Sequence, residues 1–237
     1  IKVEYEVLEP VLDFEKAVDN KTIIHPEPEA HEMFPIGFDP KRNIAAEYHM
    51  HVGDVDEVLS KCDCVVRSTY YTQAQSHVAM EPHTSSAYVD IYGRVNIISS
   101  TQTPFHVRRI VAEALGLPIE KIRVVKPRIG GGYGGKQALH GEFLVSLVAL
   151  RTGKPAKLVY TRNEVFESTY CRHAMRFNVA IGSDKEGNIK AIDMDLLSNT
   201  GAYGEHALTV FMVSGSKTLP LYNKVEAVRF GGKTVYT

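Results

Sequence analysis

The chain has 237 residues, 44% hydrophobic and 23% charged, which is enough apolar material for one large domain or two small ones and excludes a disordered or fibrous protein. Its 27 Lys and Arg against 28 Asp and Glu give a formal charge of -1, without the basic surplus of nucleic-acid or anionic-membrane binders. No apolar run approaches the roughly 18 residues that cross a bilayer, Ile1 to Glu9 lack the pattern of a signal peptide, and Cys62, Cys64 and Cys171 leave one thiol unpaired under any disulfide scheme. A cytoplasmic protein that acts on a small molecule is expected, and the absence of an initial Met suggests a piece of something longer.

Residues 1–46 combine a short apolar run, Val3 to Leu8, with Pro10, Pro26, Pro28, Pro35 and Pro40. Prolines at that density oppose helix interiors and central strands, so this stretch reads as an extended connector over another surface, with regular structure starting near Gly53. Asp54 can cap a short helix through Val55, Val58 and Leu59, and Cys64 to Thr72 is β-branched and aromatic enough for a strand. Strands over Ser86–Tyr92 and Val95–Ser100 are joined as a hairpin at Gly93.

A helix follows with Thr103 at its cap and Pro104 at its first position; Val107, Ile110, Val111 and Ala114 form its apolar face, and Gly116 and Pro118 end it. Ile122 to Val125 reads as a strand, and Gly130-Gly131-Gly132-Tyr133-Gly134-Gly135 comes next. Beyond it, Leu139 to Leu150 has few polar breaks and predicts a buried helix closed by Gly153 and Pro155. A strand at Leu158–Tyr160 leads to a second hairpin, with Met175, Phe177, Val179 and Ile181 alternating before the turn Ser183–Asn188. On its return strand Ile192, Met194 and Leu196 oppose Asp193 and Asp195. The expectation is an α+β protein of two two-layer lobes, 47–160 and 161–237, behind the connector 1–46.

The glycine run carries the strongest chemical signal. Its entropic cost makes sense where the backbone must take positive φ or approach a ligand closely, so that bare N–H groups can meet a phosphate, an oxo group or a polar heterocycle. A flexible turn is the bland alternative. The spacing Gly130 to Gly135-Lys136 mimics a Walker A loop, but Gln137 stands where the Mg²⁺-binding hydroxyl belongs. A dinucleotide fold could claim Gly130, Gly132 and Gly135, yet the acidic residue due about 20 positions on is replaced by Pro155 with Lys154 and Lys157 beside it. His49 with His51 and Cys62 with Cys64 lack zinc-site spacing.

Several motifs in one order carry a resemblance. They are His77-Val78-Ala79-Met80-Glu81-Pro82-His83, Ser100-Thr101-Gln102-Thr103-Pro104, the glycine run through Lys136, Arg172-His173, and Asn199-Thr200-Gly201-Ala202-Tyr203-Gly204. Across essentially its whole length the chain resembles the molybdenum-cofactor-binding subunit of the xanthine dehydrogenase / aldehyde oxidase hydroxylases, with Tyr133 where the family usually has Phe. The resemblance implies the molybdopterin-binding fold of that family and an oxidoreductase that hydroxylates an N-heterocycle, purine- or nicotinate-like, or an aldehyde with oxygen from water. It implies that Gln102, Gly131, Gly132, Tyr133, Gly134 and Gly135 hold the cofactor, with Gln102 and Tyr133 bonding to the surroundings of the molybdenum. A neutral amide suits that place, because it donates without adding charge.

The resemblance further implies substrate contacts at Gln137 and near Ser214. Xanthine-type enzymes carry a Glu at the first and an Arg at the second, so Gln137 with Met212, Val213 and Ser214 points away from xanthine itself; Lys217 is a weaker anchor. It also implies molybdopterin in a dinucleotide form, and [2Fe–2S] and FAD groups on an iron–sulfur subunit and an FAD subunit or on other domains, since three scattered cysteines cannot hold a Cys₄ cluster. The rest of the molybdenum subunit is an expected partner, with the general-base Glu downstream of Thr237 and no catalytic residue within this chain. A scaffold relative without cofactor and a nucleotide-dependent transferase are the alternatives. His173 reads as structural, and the sequence leaves open whether Glu142 faces solvent or a buried partner.

Overall fold

The computed structural model describes residues 2–30, 32 and 34–237 and resolves the chain into two compact units. They are not the consecutive lobes expected from the sequence. One unit is continuous, Gln75–Arg172; the other joins the residues up to Ala74 with His173–Thr237. The reason is strand pairing: elements before and after the continuous unit lie side by side in one sheet, which no local pattern reveals.

In the discontinuous unit the strands, numbered along the chain, are β1 (Ile44–Val52), β2 (Cys64–Thr72), β9 (Ala174–Ser183), β10 (Ile189–Asn199) and β11 (Ala227–Val235), in the order β1-β11-β10-β9-β2. The hairpin β9–β10 forms as its alternation predicts, with Ile192 opposite Ile181 and Leu196 opposite Phe177. Its turn is fastened by Asp184, whose carboxylate accepts the Asn188 N–H at 2.8 Å. Strands β10 and β11 are parallel and therefore need a crossover. It is α5 (Ala207–Ser216), which stacks Phe211 on Phe230 with ring centroids 5.4 Å apart. A Cβ at Gly215 would stand 2.3 Å from the Phe230 ring, so glycine inside this helix lets it approach the sheet.

Two expectations are corrected here. Short 3-10 turns at Phe14–Lys16 and Pro40–Arg42 precede a first strand that begins at Ile44, not near Gly53: Ala45 and Ala46 are weak strand formers, and the strand exists because β11 pairs along it. The residues before it also lie on this chain's own unit in part, since Val11 and Ala17 are buried with Leu197 and Val235. Buried Asn43 holds that stretch, accepting the Ile24 N–H at 2.9 Å and donating to the carbonyls of Ala17 and Thr22 at 3.1 and 2.8 Å. Helix α1 (Val55–Lys61) follows with Asp54 accepting the Glu57 N–H, as its cap predicts.

The continuous unit opens and closes on a short pair, β3 (Gln75–Ser76) with β8 (Cys171–Arg172). Its sheet contains β4 (Thr84–Val89), β5 (Val95–Ser99), β6 (Ile122–Val125) and β7 (Ala156–Val159) in the order β6-β5-β4-β7. Parallel β5 and β6 are connected by α2 (Pro104–Leu115), which ends at Gly116 in the left-handed region. Helix α3 (Glu142–Thr152) packs beside it, and Val95, Ile97, Val107, Val111, Ile122, Val145 and Ala149 make one core. At about 1.5–3 kcal/mol for each large buried aliphatic, that core is the unit's main support.

Helix α3 departs from expectation, because only its Val145, Ser146 and Ala149 side is buried while Leu144 and Val148 are half exposed. Apolar character all round did not mean burial all round. Helix α4 (Arg162–Ser168) starts on a capping box formed by Thr161 and Glu164. Among the described residues no helix is long and apolar enough to cross a membrane.

Candidate functional site

The glycine loop lies in the continuous unit between β6 and α3. Gly131 and Gly134 have φ of 98° and 99°, and Tyr133 has φ of 54°. A non-glycine residue in that region costs on the order of 1–3 kcal/mol, so the surrounding contacts must hold it there. They come from the run Ser100 to Thr103. The Gln102 Oε1 accepts the N–H groups of Gly134 and Lys136 at 3.0 and 3.2 Å, and the Gln102 N–H donates to the Lys136 carbonyl at 2.8 Å. Thr101 Oγ1 donates to that same carbonyl at 3.2 Å, and Thr103 Oγ1 donates to the Gln137 carbonyl at 2.6 Å. Thr103 thus stands before α2 but spends its hydroxyl on the loop and makes no side-chain cap.

Gly132 has no room for a side chain: a Cβ there would lie 2.4 Å from Gln102 Oε1. The backbone N–H groups of Gly131, Gly132 and Tyr133, and the Nε2 of Gln102, have no partner among the described residues. Gly132 is buried, Gly131 half-buried and Tyr133 exposed, so these successive bare N–H groups stand open to an acceptor from outside the chain. An acceptor-rich group such as a metal–oxo centre or a phosphate fits this donor set, and a cation does not. Gly134, expected as a donor to the ligand, instead has its N–H engaged by Gln102.

The loop's lysine does not reach outward. The Lys136 side chain is 1% exposed, and its Nζ donates to Glu81 Oε2 at 2.7 Å. An ammonium turned inward cannot grip a nucleotide phosphate, which removes the Walker reading. Burial works against ionisation of Glu81, yet the Lys136 ammonium and the Gly130 N–H overcome it and hold the carboxyl below its usual range.

Behind the loop two imidazoles meet its backbone. His83 Nε2 lies 2.8 Å and His140 Nε2 3.3 Å from the Gly135 carbonyl, their rings edge to face at 4.3 Å. Because that carbonyl only accepts, the Nε2 of His83 carries the proton. Burial pushes the His83 pKa down to about 4 and lowers that of His77 as well. Glu142 is buried, accepting from Ser99 Oγ at 2.6 Å and from the His140 N–H at 2.9 Å.

Gln102 and Gly131 to Gly135 are therefore brought together, and Gln137 follows them with its backbone bonded and its side-chain amide without a partner among the described residues. Tyr133 projects its ring outward at 76% exposure, so its hydroxyl carries no desolvation cost. Ser214 belongs to the other unit, on α5, where its hydroxyl donates to the Phe211 carbonyl at 2.6 Å. Sequence reasoning missed Lys136 and the roles of Glu81, His83 and His140. The signals were present: Glu81 and His83 lie inside a quoted motif, and Lys136 closes the glycine run.

An α+β frame whose glycine loop is clamped by a glutamine and presents bare N–H groups defines a binder of an oxygen-rich cofactor. The chain belongs to the molybdopterin cofactor-binding domain family, whose profile matches residues 38–237. It is similar to the probable hypoxanthine oxidase of Escherichia coli, with 35% identity over 94% of this chain and 26% of that protein. It is also 32% identical to the nicotinate dehydrogenase large molybdopterin subunit of Eubacterium barkeri over 100% of this chain and 52% of that one. Among solved structures, the aldehyde oxidoreductase of Desulfovibrio gigas superposes over 100% of this chain and 25% of its own at a TM-score of 0.81 and 25% identity. The chain thus spans from about a quarter to about half the length of these relatives.

Proposed function

We propose that this chain forms the glycine-loop wall of the cofactor site in a molybdenum hydroxylase, an oxidoreductase that transfers oxygen from water to an electron-poor carbon. The observation that carries the proposal is the donor set itself: Gly131, Gly132 and Tyr133 N–H groups beside Gln102 Nε2, with Gln102 Oε1 already committed to the loop. When bound, the molybdenum cofactor, in a dinucleotide form, would supply the two-electron redox centre. The residues of this chain hold it: backbone N–H groups and one neutral amide bond its acceptors without adding charge to the site. The general base lies elsewhere in the full subunit, and the [2Fe–2S] and FAD groups lie on partner subunits or domains, in the cytoplasm.

An N-heterocycle is the favoured substrate class. The side-chain amide of Gln137 both donates and accepts, as a ring N–H and its neighbouring carbonyl require, whereas a simple aldehyde offers only an acceptor. The names of two relatives, one a hypoxanthine oxidase and one a nicotinate dehydrogenase, support this choice. Ser214 is a second candidate substrate contact.

The test is molybdenum content and oxidised-pterin fluorescence of the native assembly. Stoichiometric metal with pterin is the expected result, followed by faster turnover of N-heterocycles than of aldehydes. Metal-free, pterin-free protein would leave a scaffold and remove the roles given to Gln102 and Tyr133.

A further inference from the structure

The glycine loop is held from the front by Gln102, Thr101 and Thr103. From behind, besides the two imidazoles at the Gly135 carbonyl, a carboxylate holds its two ends. Glu81 Oε2 accepts both the Gly130 N–H at 3.0 Å and the Lys136 ammonium at 2.7 Å, and the Glu81 N–H donates to the Gly130 carbonyl at 3.2 Å. The same side chain therefore ties the first glycine of the run to the lysine that closes it. Nothing can intervene, since a Cβ at Gly130 would stand 2.8 Å from Glu81 Cβ.

The segment bearing Glu81 is itself fastened. Val78, a β-branched residue, is held at φ 46°, a conformation that persists only when its surroundings impose it. The next two carbonyls, of Ala79 and Met80, accept from Arg162 Nη2 at 2.6 and 3.1 Å, which anchors the segment to the first turn of α4. Burying an ammonium is a poor way to fill space, for a methionine of similar volume carries no desolvation cost. What the ammonium supplies is direction and distance across the ends of the loop.

We propose that Glu81 and Lys136 are positioning residues that set the curvature of the glycine loop and so hold the Gly131, Gly132 and Tyr133 N–H groups toward the cofactor. This rests on the cofactor reading above, and the experiment keeps the two separable. Lys136→Met, Glu81→Gln and Glu81→Ala are made in the full subunit within its native complex, and three quantities are measured: thermal midpoint, amide hydrogen exchange of residues 130–137, and molybdenum and pterin retained per protein.

The expected result is a midpoint within a few degrees of wild type, loop exchange at least tenfold faster, and cofactor retention reduced several-fold. Glu81→Gln, which keeps an acceptor for Gly130, should fall between wild type and Glu81→Ala. Should Lys136→Met fail to accumulate, Glu81→Gln decides the matter by the same readouts. Loop exchange equal to wild type in the variants that fold would overturn the proposal and leave an ordinary buried ion pair. A wild-type complex without molybdenum would instead defeat the cofactor reading, while the exchange comparison would still judge the pair.

Discussion

At Gly132 the space a methyl group would need is already taken by the Gln102 carboxamide. Gly132→Ala should push that amide off the loop at a cost of about 1–3 kcal/mol, the usual penalty for overpacking, visible in denaturant unfolding of the subunit. Unchanged stability would mean that Gln102 turns away freely. Gln102 itself has two separable tasks, accepting from Gly134 and Lys136 and donating through Nε2. Gln102→Glu preserves the first and abolishes the second, so the melting point should hold while molybdenum content drops several-fold. Gln102→Ala loses both tasks and strands two N–H groups, at about 1–3 kcal/mol in the unfolding free energy. Of this site, the loop and Gln102 were legible in the sequence because a family pattern marks them. The partners of Lys136 were not: its neighbours in the chain are glycines and Gln137, whereas its carboxylate is Glu81, in another segment.

Elements that signal themselves locally formed where the sequence placed them: α1 from its Asp54 cap, β2 from its β-branched run, α2 between Pro104 and Gly116. Helix α4 carries the same kind of local signal in Thr161 and Glu164. Thr161→Ala should cost about 1 kcal/mol by removing that cap, measured by thermal unfolding. The histidine backing of the loop adds a pH dependence. Between its ordinary value of 6.5 and about 4, His83 is protonated in the unfolded chain and neutral in the folded one. The unfolded state then binds more protons, so stability falls as pH drops through that window and levels off below it. His83→Gln should flatten the fall between pH 6.5 and 4 in thermal melts, and equal slopes for the two proteins would count against a buried neutral His83.

For the whole molecule, the decisive feature is that one unit is contiguous and the other is not. Gln75–Arg172 holds its own sheet and core and closes on β3–β8. Expressed alone, it should unfold in one cooperative transition in urea. The other unit's pieces cannot stand apart, because β2 pairs with β9 and β1 with β11 across the intervening unit. A gradual, non-cooperative transition for 75–172 would show that its core depends on the rest.

Period and punctuation in the chain decided by themselves the α+β class, the helix ends and the hairpins, because those depend on neighbours within a few residues. The ordered motifs decided the family. Only the tertiary structure decided that Ile44–Val52 is a strand, that α3 leaves Leu144 and Val148 half exposed, and that Lys136 turns inward to Glu81. Each of those outcomes rests on a partner far along the chain or on the side of a helix that happens to meet the sheet. Hydrogen bonding and burial act through space, and sequence distance does not record them.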